Sequence, residues 1–233
     1  MNEKVRYSLI IFDLDGTLLD TLPDLAGAVN HALARHGKKQ REIGEIRSFI
    51  SNGVRKLIER ALFITEASKD TNDYEVTDRR LFDGVFNDFV AYYLDHVADN
   101  TIPYPGIREL VMKLKQAGMQ TAVVTNKRED AAEKLMDRFF PGCFDAVYGD
   151  GPDRKRKPDP DSVIKVMELF GRTREETVYI GDSDVDHQTA SNAGVDDILV
   201  TWGYRDIDSL IACGGRIIAE RPDELETLLM RVK

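Results

Sequence analysis

The chain has 233 residues, 42% of them apolar and 31% charged, which is enough to bury the core of one large α/β domain or of a domain with a modest insert. Its 32 basic and 41 acidic residues leave a net charge of −9, which argues against nucleic acid or an anionic membrane as a partner. A small anionic substrate stays open, because a bound metal ion inverts the local field.

Tyr7–Phe12 is a continuous apolar run of strand length, of the kind buried on both faces of a parallel sheet. From about residue 20 to 100 the chain reads as helices without strands. Leu22, Leu25, Ala26, Val29 and Leu33 make one stripe, with Asp20 and Thr21 as candidate caps. Val54, Leu57, Ile58, Ala61 and Leu62 make a second, and Phe82, Val85, Phe86, Phe89 and Tyr93 a third. The polar stretch Glu66–Asp78 between the last two reads as an exposed connection, and Pro103-Tyr104-Pro105-Gly106 marks the return to the core.

After that return, strand and helix alternate. Ile107, Leu110, Val111 and Leu114 predict a helix stopped at Gly118. Strands follow at Gln120–Thr125, Ala146–Tyr148, Thr177–Ile180 and Asp197–Val200. A helix opens at Asp159-Pro160, carries Val163, Ile164, Met167 and Phe170, and ends at Gly171. The expected fold is α/β, a doubly wound parallel sheet. Its core is expected over residues 1–19 and 101–233, with an all-helical domain inserted over residues 20–100.

Four points in this pattern carry chemistry, each at the end of a predicted strand, where ligands of doubly wound sheets bind. The first is Asp13-Leu14-Asp15-Gly16-Thr17. Two carboxylates two residues apart favour a hard cation between them. One can then serve as nucleophile and the other as acid and base. The plain alternative is an acidic turn. A calcium loop fits worse, since its sixth position is Leu18 rather than glycine and its twelfth is Asp24 rather than glutamate. The second point is Thr125-Asn126-Lys127, whose hydroxyl and amide can bind phosphate oxygens or simply cap the next helix. The third is Lys157-Pro158, a fixed cation of the sort phosphoryl transfer needs, although Arg154, Lys155 and Arg156 precede it in one basic run. The fourth is Gly181-Asp182-Ser183-Asp184-Val185-Asp186, acidic groups able to complete an oxygen-rich magnesium site. Asp186 is expected in the first turn of a helix, where the dipole alone would favour a carboxylate, and Asp184 is expected to be solvated.

These four motifs, in this order, resemble those of the haloacid dehalogenase-like hydrolase superfamily. The stretches FDLDGTLLDTLPDL, Ser51–Gly53, VVTNK, KPDP, GDSDVD and VTWGYRD look most like its phosphoglycolate phosphatase branch. The resemblance spans nearly the whole chain and implies a Rossmann-like core with the helical insert as a cap or lid. It implies Mg2+ as cofactor and Asp13 as nucleophile and metal ligand. Asp15 would protonate the leaving oxygen, then activate water, and lend its backbone carbonyl to the metal. Thr125 and Asn126 would hold phosphoryl oxygens and Lys157 would neutralise them. Asp182 would bind the metal directly, and Asp186 directly or through water. True dehalogenases lack the second aspartate, so Asp15 points to phosphate chemistry. In the cap, Asn52 and Gly53, within the loop 47–53, are candidates for reading the organic part of the substrate; a plain helix connection is the alternative. Ser51 departs from the glycine expected there, and His187 from an aliphatic residue.

The function expected is therefore a magnesium-dependent phosphatase acting on small phosphate monoesters through an aspartyl phosphate. A sugar phosphomutase of the same fold, a pyrophosphatase and a nucleotidase are the enzyme alternatives. A phospho-accepting receiver module is the non-enzyme one, disfavoured by the length and the helical insert. His31, His36 and His96 are expected to be surface or packed side chains. Cys143 and Cys213 are expected to be free thiols, the N-terminus shows no signal peptide, and no membrane span is visible. The expected location is cytoplasmic, as a monomer or homodimer.

Overall fold

The structure, a computed structural model, describes residues 6–50, 52–64 and 78–230. The chain divides into two compact units, one of Met1–Asp20 with Ile102–Lys233 and the other of Thr21–Thr101.

In the first unit, a six-stranded sheet runs in the order β5-β4-β1-β6-β7-β8, and every pairing is parallel. The strands are β1 (Leu9–Phe12), β4 (Gln120–Arg128), β5 (Ala146–Asp150), β6 (Thr177–Gly181), β7 (Asp196–Val200) and β8 (Ile218–Ala219). A two-stranded antiparallel ribbon, β2 (Leu19–Asp20) with β3 (Ile102–Pro103), brackets the sequence of the second unit. Every residue of β1 and β6 is buried, which is why their sequences are apolar runs rather than alternations. Five helices cover the sheet: α5 (Ile107–Gln116), α6 (Glu129–Phe139), α7 (Asp161–Phe170), α8 (Asp184–Ala193) and α10 (Pro222–Leu229), with the short α9 (Ile207–Ala212) between β7 and β8. On one face Leu9, Ile11, Ala122, Val124 and Tyr179 pack against Val163, Val166 and Met167 of α7 and Ala190 and Ala193 of α8.

Three local expectations shift. β4 runs on through Asn126 and Lys127 to Arg128, with a register irregularity between Val124 and Arg128. Neither Thr125 nor Asn126 therefore caps the next helix; Arg128 sits at that position. Helix α7 starts at Asp161, one turn position later than the sequence suggested, and the Asp159 carboxylate accepts the Asp161 N–H at 3.1 Å.

The second unit, described by itself, holds α1 (Leu22–Arg35), α2 (Ile43–Phe49), α3 (Gly53–Phe63) and α4 (Arg79–Asp95). The expected polar connection 66–78 and Ser51 lie outside the described residues, apart from Asp78, which caps α4 by accepting the Leu81 N–H at 2.9 Å. His31 stacks on Tyr92, which stacks on His96, and His36 pairs with Asp88. The two ends of the unit are tied by one buried carboxylate. Asp24 accepts from the backbone N–H and side-chain amide of Asn100 and from the backbone N–H (2.8 Å) and hydroxyl (2.8 Å) of Thr101. Truncating it strands the buried Thr101 donors. Asp24→Ala is expected to cost about 2–3 kcal/mol and to lower the melting temperature by about 5–10 °C in a thermal scan. An unchanged melting temperature would show that the ends are held by something else.

Candidate active site

In the sheet, the chain proceeds from β1 to β4 and β5 on one side, and from β6 to β7 and β8 on the other. That reversal beside β1 is where doubly wound sheets open a crevice at their carboxyl ends. The four sequence motifs meet there.

Asp13 follows β1 directly, and its N–H still bonds to the Ile180 carbonyl of β6 at 2.8 Å. Asp182 follows β6. Asp186 lies in the first turn of α8, where the Ser183 hydroxyl and the Asp186 carboxylate form a capping box. One ligand oxygen from each of Asp13, Asp182 and Asp186 lies within 4.8 Å of the others, and all three residues are buried. Gly16 makes the approach possible. Its φ is +86°, and a Cβ there would stand 2.3 Å from an Asp182 carboxylate oxygen. Gly203, from the loop after β7, closes the other side: a Cβ there would meet the Asp182 Cβ at 2.4 Å. Asp182 is further fixed by the Tyr204 N–H at 2.7 Å and the Thr17 hydroxyl at 3.2 Å.

Lys157 supplies the counter-charge. It is 6% exposed, whereas the Lys155 side chain is 72% exposed, and Arg154 and Arg156 pair with Glu129 and Asp150. Only the last member of the basic run is thus held in the site. Its Nζ donates to Asp186 Oδ1 at 2.7 Å and to the Tyr179 hydroxyl at 3.0 Å. Tyr179, fully buried, donates its own hydrogen bond to the Val124 carbonyl at 2.7 Å. Nζ also pairs with Asp13 Oδ1 at 2.9 Å. The loop carrying Lys157 is pinned by Asn126, whose amide both accepts from the Lys157 N–H (2.8 Å) and donates to its carbonyl (3.1 Å). Asn126 therefore uses its side chain on the lysine's backbone. The Thr125 hydroxyl, at 5% exposure, accepts the Lys127 N–H at 3.3 Å.

The electrostatics follow from burial. Desolvation pushes the Asp13 carboxyl up to about 6, with Lys157 opposing the rise and Asp186 adding to it. Desolvation and the neighbouring Asp186 and Asp13 carboxylates drive Asp182 well above the usual range. Burial works against the Lys157 charge, but Asp13 and Asp186 hold its proton well above the ordinary lysine value. One ammonium in contact with two of three buried carboxylates leaves the cluster net negative. An all-oxygen donor set of this charge fits a hard divalent cation such as magnesium.

Because the Asp13 pKa is raised on folding, its protonated form stabilises the metal-free protein. That stabilisation, roughly 3 kcal/mol, is complete below about pH 4 and lost as pH rises through about 6. Magnesium needs the ionised form. The magnesium-induced rise in melting temperature is therefore expected to be larger at about pH 8 than at about pH 5, and an equal or smaller rise at the higher pH would contradict the assignment of Asp13 to the metal.

The other expected residues fall out clearly. Asp184 is 59% exposed at its side chain, beside Arg205. His187 pairs with Asp197 at 2.9 Å, and both cysteines are free. In the second unit, Asn52 precedes α3 and accepts from Arg60 at 2.8 Å, Gly53 opens α3 at φ +81°, and Arg60 also holds the Phe49 carbonyl. Arg60, Tyr179, Gly203 and Tyr204 were not singled out from the sequence. The last two lie in the VTWGYRD stretch, which carried a family signal but no assigned role. No helix among the described residues is long and apolar enough to cross a membrane.

Residues 10–200 match the haloacid dehalogenase-like hydrolase family. A phosphoglycolate phosphatase of Pseudomonas putida is 33% identical over 229 residues, covering 95% of this chain and 78% of its own. One of Aquifex aeolicus is 32% identical over 222 residues, covering 95% and 96%. A crystal structure described as a putative phosphoglycolate phosphatase from Lactobacillus delbrueckii subsp. bulgaricus superposes with a TM-score of 0.91 at 34% identity, over 97% of this chain and 100% of that one. Fold, motif order and kinship agree: the chain belongs to the haloacid dehalogenase-like hydrolase family, on its phosphoglycolate phosphatase-like branch.

Proposed function

We propose that this chain is a magnesium-dependent phosphatase of small phosphate monoesters, 2-phosphoglycolate among them, which works through an aspartyl phosphate on Asp13. The observation that carries this reading is the buried cluster of Asp13, Asp182 and Asp186, with Lys157 paired to Asp13 and Asp186. Kinship to phosphoglycolate phosphatases supports the phosphoric monoester hydrolase class and the substrate.

In the first step an Asp13 oxygen attacks phosphorus and the bond from phosphorus to the ester oxygen breaks. Asp15 gives its proton to that departing oxygen. In the second, water attacks the aspartyl phosphate, its proton passes to Asp15, and the acyl phosphate bond breaks to release inorganic phosphate and the Asp13 carboxylate. Asp13, Asp182 and Asp186, with the Asp15 carbonyl, would hold the magnesium ion, which supplies charge neutralisation at the phosphoryl oxygens. Lys157 adds a fixed positive charge and Thr125 a hydroxyl, while the Asn126 amide keeps Lys157 in place. In this reading the helical unit serves as the lid, with Asn52 and Gly53 reading the organic part of the substrate.

The test is release of inorganic phosphate from a panel of monoesters that includes 2-phosphoglycolate, with magnesium and with a chelator. Repeated turnover in magnesium and none with the chelator is expected. Isomerisation of a sugar phosphate without net phosphate release would instead make it a phosphomutase, and a single unreleased phosphorylation would make it a receiver.

A further inference from the structure

A second lysine lies buried beside the site. Lys127, within the irregular stretch of β4 between Val124 and Arg128, is 5% exposed, and its Nζ stands 2.8 Å from Asp15 Oδ1. The side chains of the pair are 3% and 15% exposed. Removing an ammonium from water costs several kcal/mol, and a well-packed apolar pair would hold a fold at least as well, so such a pair is weak evidence of a stabilising role. Its place suggests another. Its neighbour on β4 already serves the site: Asn126 holds the backbone of Lys157. Asp15 itself sits in a tight turn, bridged to Leu19, with the Gly16 N–H bonded to the Leu19 carbonyl at 2.9 Å. The turn fixes the backbone of Asp15 but not its two side-chain torsions. A carboxyl that must first protonate an ester oxygen and then take a proton from water has to stay within hydrogen-bond reach of both.

We propose that Lys127 is a positioning residue for the acid–base step: its ammonium holds one oxygen of Asp15 and so fixes the two side-chain torsions that the turn leaves free. This rests on the phosphatase reading above and deepens it. Two lysines then divide the work, Lys157 serving the nucleophile and metal cluster and Lys127 serving the proton donor.

The leaving group separates this role from a structural one. An alkyl ester leaves as a strongly basic alkoxide and needs the proton, whereas p-nitrophenyl phosphate leaves as a stable phenolate and does not. The ratio kcat/KM reports steps up to the departure of that group, while kcat includes hydrolysis of the aspartyl phosphate. In Lys127→Met, kcat/KM for 2-phosphoglycolate, or for whichever alkyl monoester the wild type turns over fastest, is expected to fall about 100-fold. For p-nitrophenyl phosphate, kcat/KM is expected to fall by no more than about threefold, while kcat and KM fall together because water attack has lost its base. Should the methionine variant fail to fold, Lys127→Arg keeps the buried charge; its longer, forked head displaces the carboxyl, and the same selective loss is expected. A folded variant that loses both substrates by one factor, or neither, overturns the proposal and leaves the phosphatase reading standing. A wild type that frees phosphate from no ester overturns both.

Discussion

Asp13→Asn is expected to lower phosphate release by on the order of 10⁴-fold or more, while the metal-free protein melts no lower than wild type. The two halves of that result have one cause. An amide cannot attack phosphorus or form the aspartyl phosphate, so the chemical step is lost outright. The charge it removes is one the fold would rather not carry. Burial pushes the Asp13 carboxyl up to about 6, so at neutral pH the native state holds it ionised at a cost. A neutral amide of nearly the same size escapes that cost, and each kcal/mol regained raises the melting temperature by about 2–4 °C for a chain of this size. The check is steady-state phosphate release beside a thermal scan in chelator. Retained turnover would remove Asp13 from the mechanism. A large fall in melting temperature with the activity loss would mean that Asp13 is a structural group.

Lys157→Met is expected to show the opposite pairing, with activity and stability lost together. Its ammonium lies against Asp13 and Asp186, and without it three buried carboxylates face one another with no cation in contact. Breaking a buried ion pair on one side costs about 3–5 kcal/mol, or about 6–20 °C in melting temperature. Loss of a fixed charge at the phosphoryl group costs a further 10²–10³-fold or so in kcat. Magnesium is expected to restore part of the stability but not the rate, because it offsets the carboxylates without replacing the ammonium. Lys157→Arg is not expected to rescue either, since a longer, forked guanidinium does not reproduce the ammonium's contacts with both Asp186 and the Tyr179 hydroxyl. A methionine variant that keeps wild-type melting behaviour in chelator would show that the carboxylates are neutralised by other means.

Much of the fold was legible because the central strands are buried on both faces. Leu9–Phe12 and Thr177–Gly181 have no polar face to interrupt them, so their runs stand out. The end of β4 did not, because Asn126 and Lys127 are polar residues in a strand, satisfied by partners 31 and 112 positions away rather than by water. No periodicity records such partners. β8, two residues long, and α2, with Ile46 and Phe49 as its only buried residues, are too short to leave a pattern. Asp13, Asp15, Asp182 and Lys157 could be picked out because each closes a strand or loop with a group that costs energy to bury. Gly203 and Tyr204 could not, because their contribution is an absent Cβ and a backbone N–H. Asp186 was readable in two ways, as helix cap and as site group, and it does both: Oδ2 accepts from the Ser183 hydroxyl while Oδ1 meets Lys157.

The clasp between the Asn126 amide and the Lys157 backbone bears on how this enzyme can diverge. The ammonium is placed from β4, by an anchor that ignores what precedes it. Asp153 to Arg156 hang from that anchor largely exposed, and the three basic side chains pair with neighbours at the rim. That stretch can be lengthened, shortened or recoloured in charge while Lys157 stays where it is. Descendants of this sequence are free to drift there, and to acquire new surface contacts, a few residues from a position that tolerates almost no change.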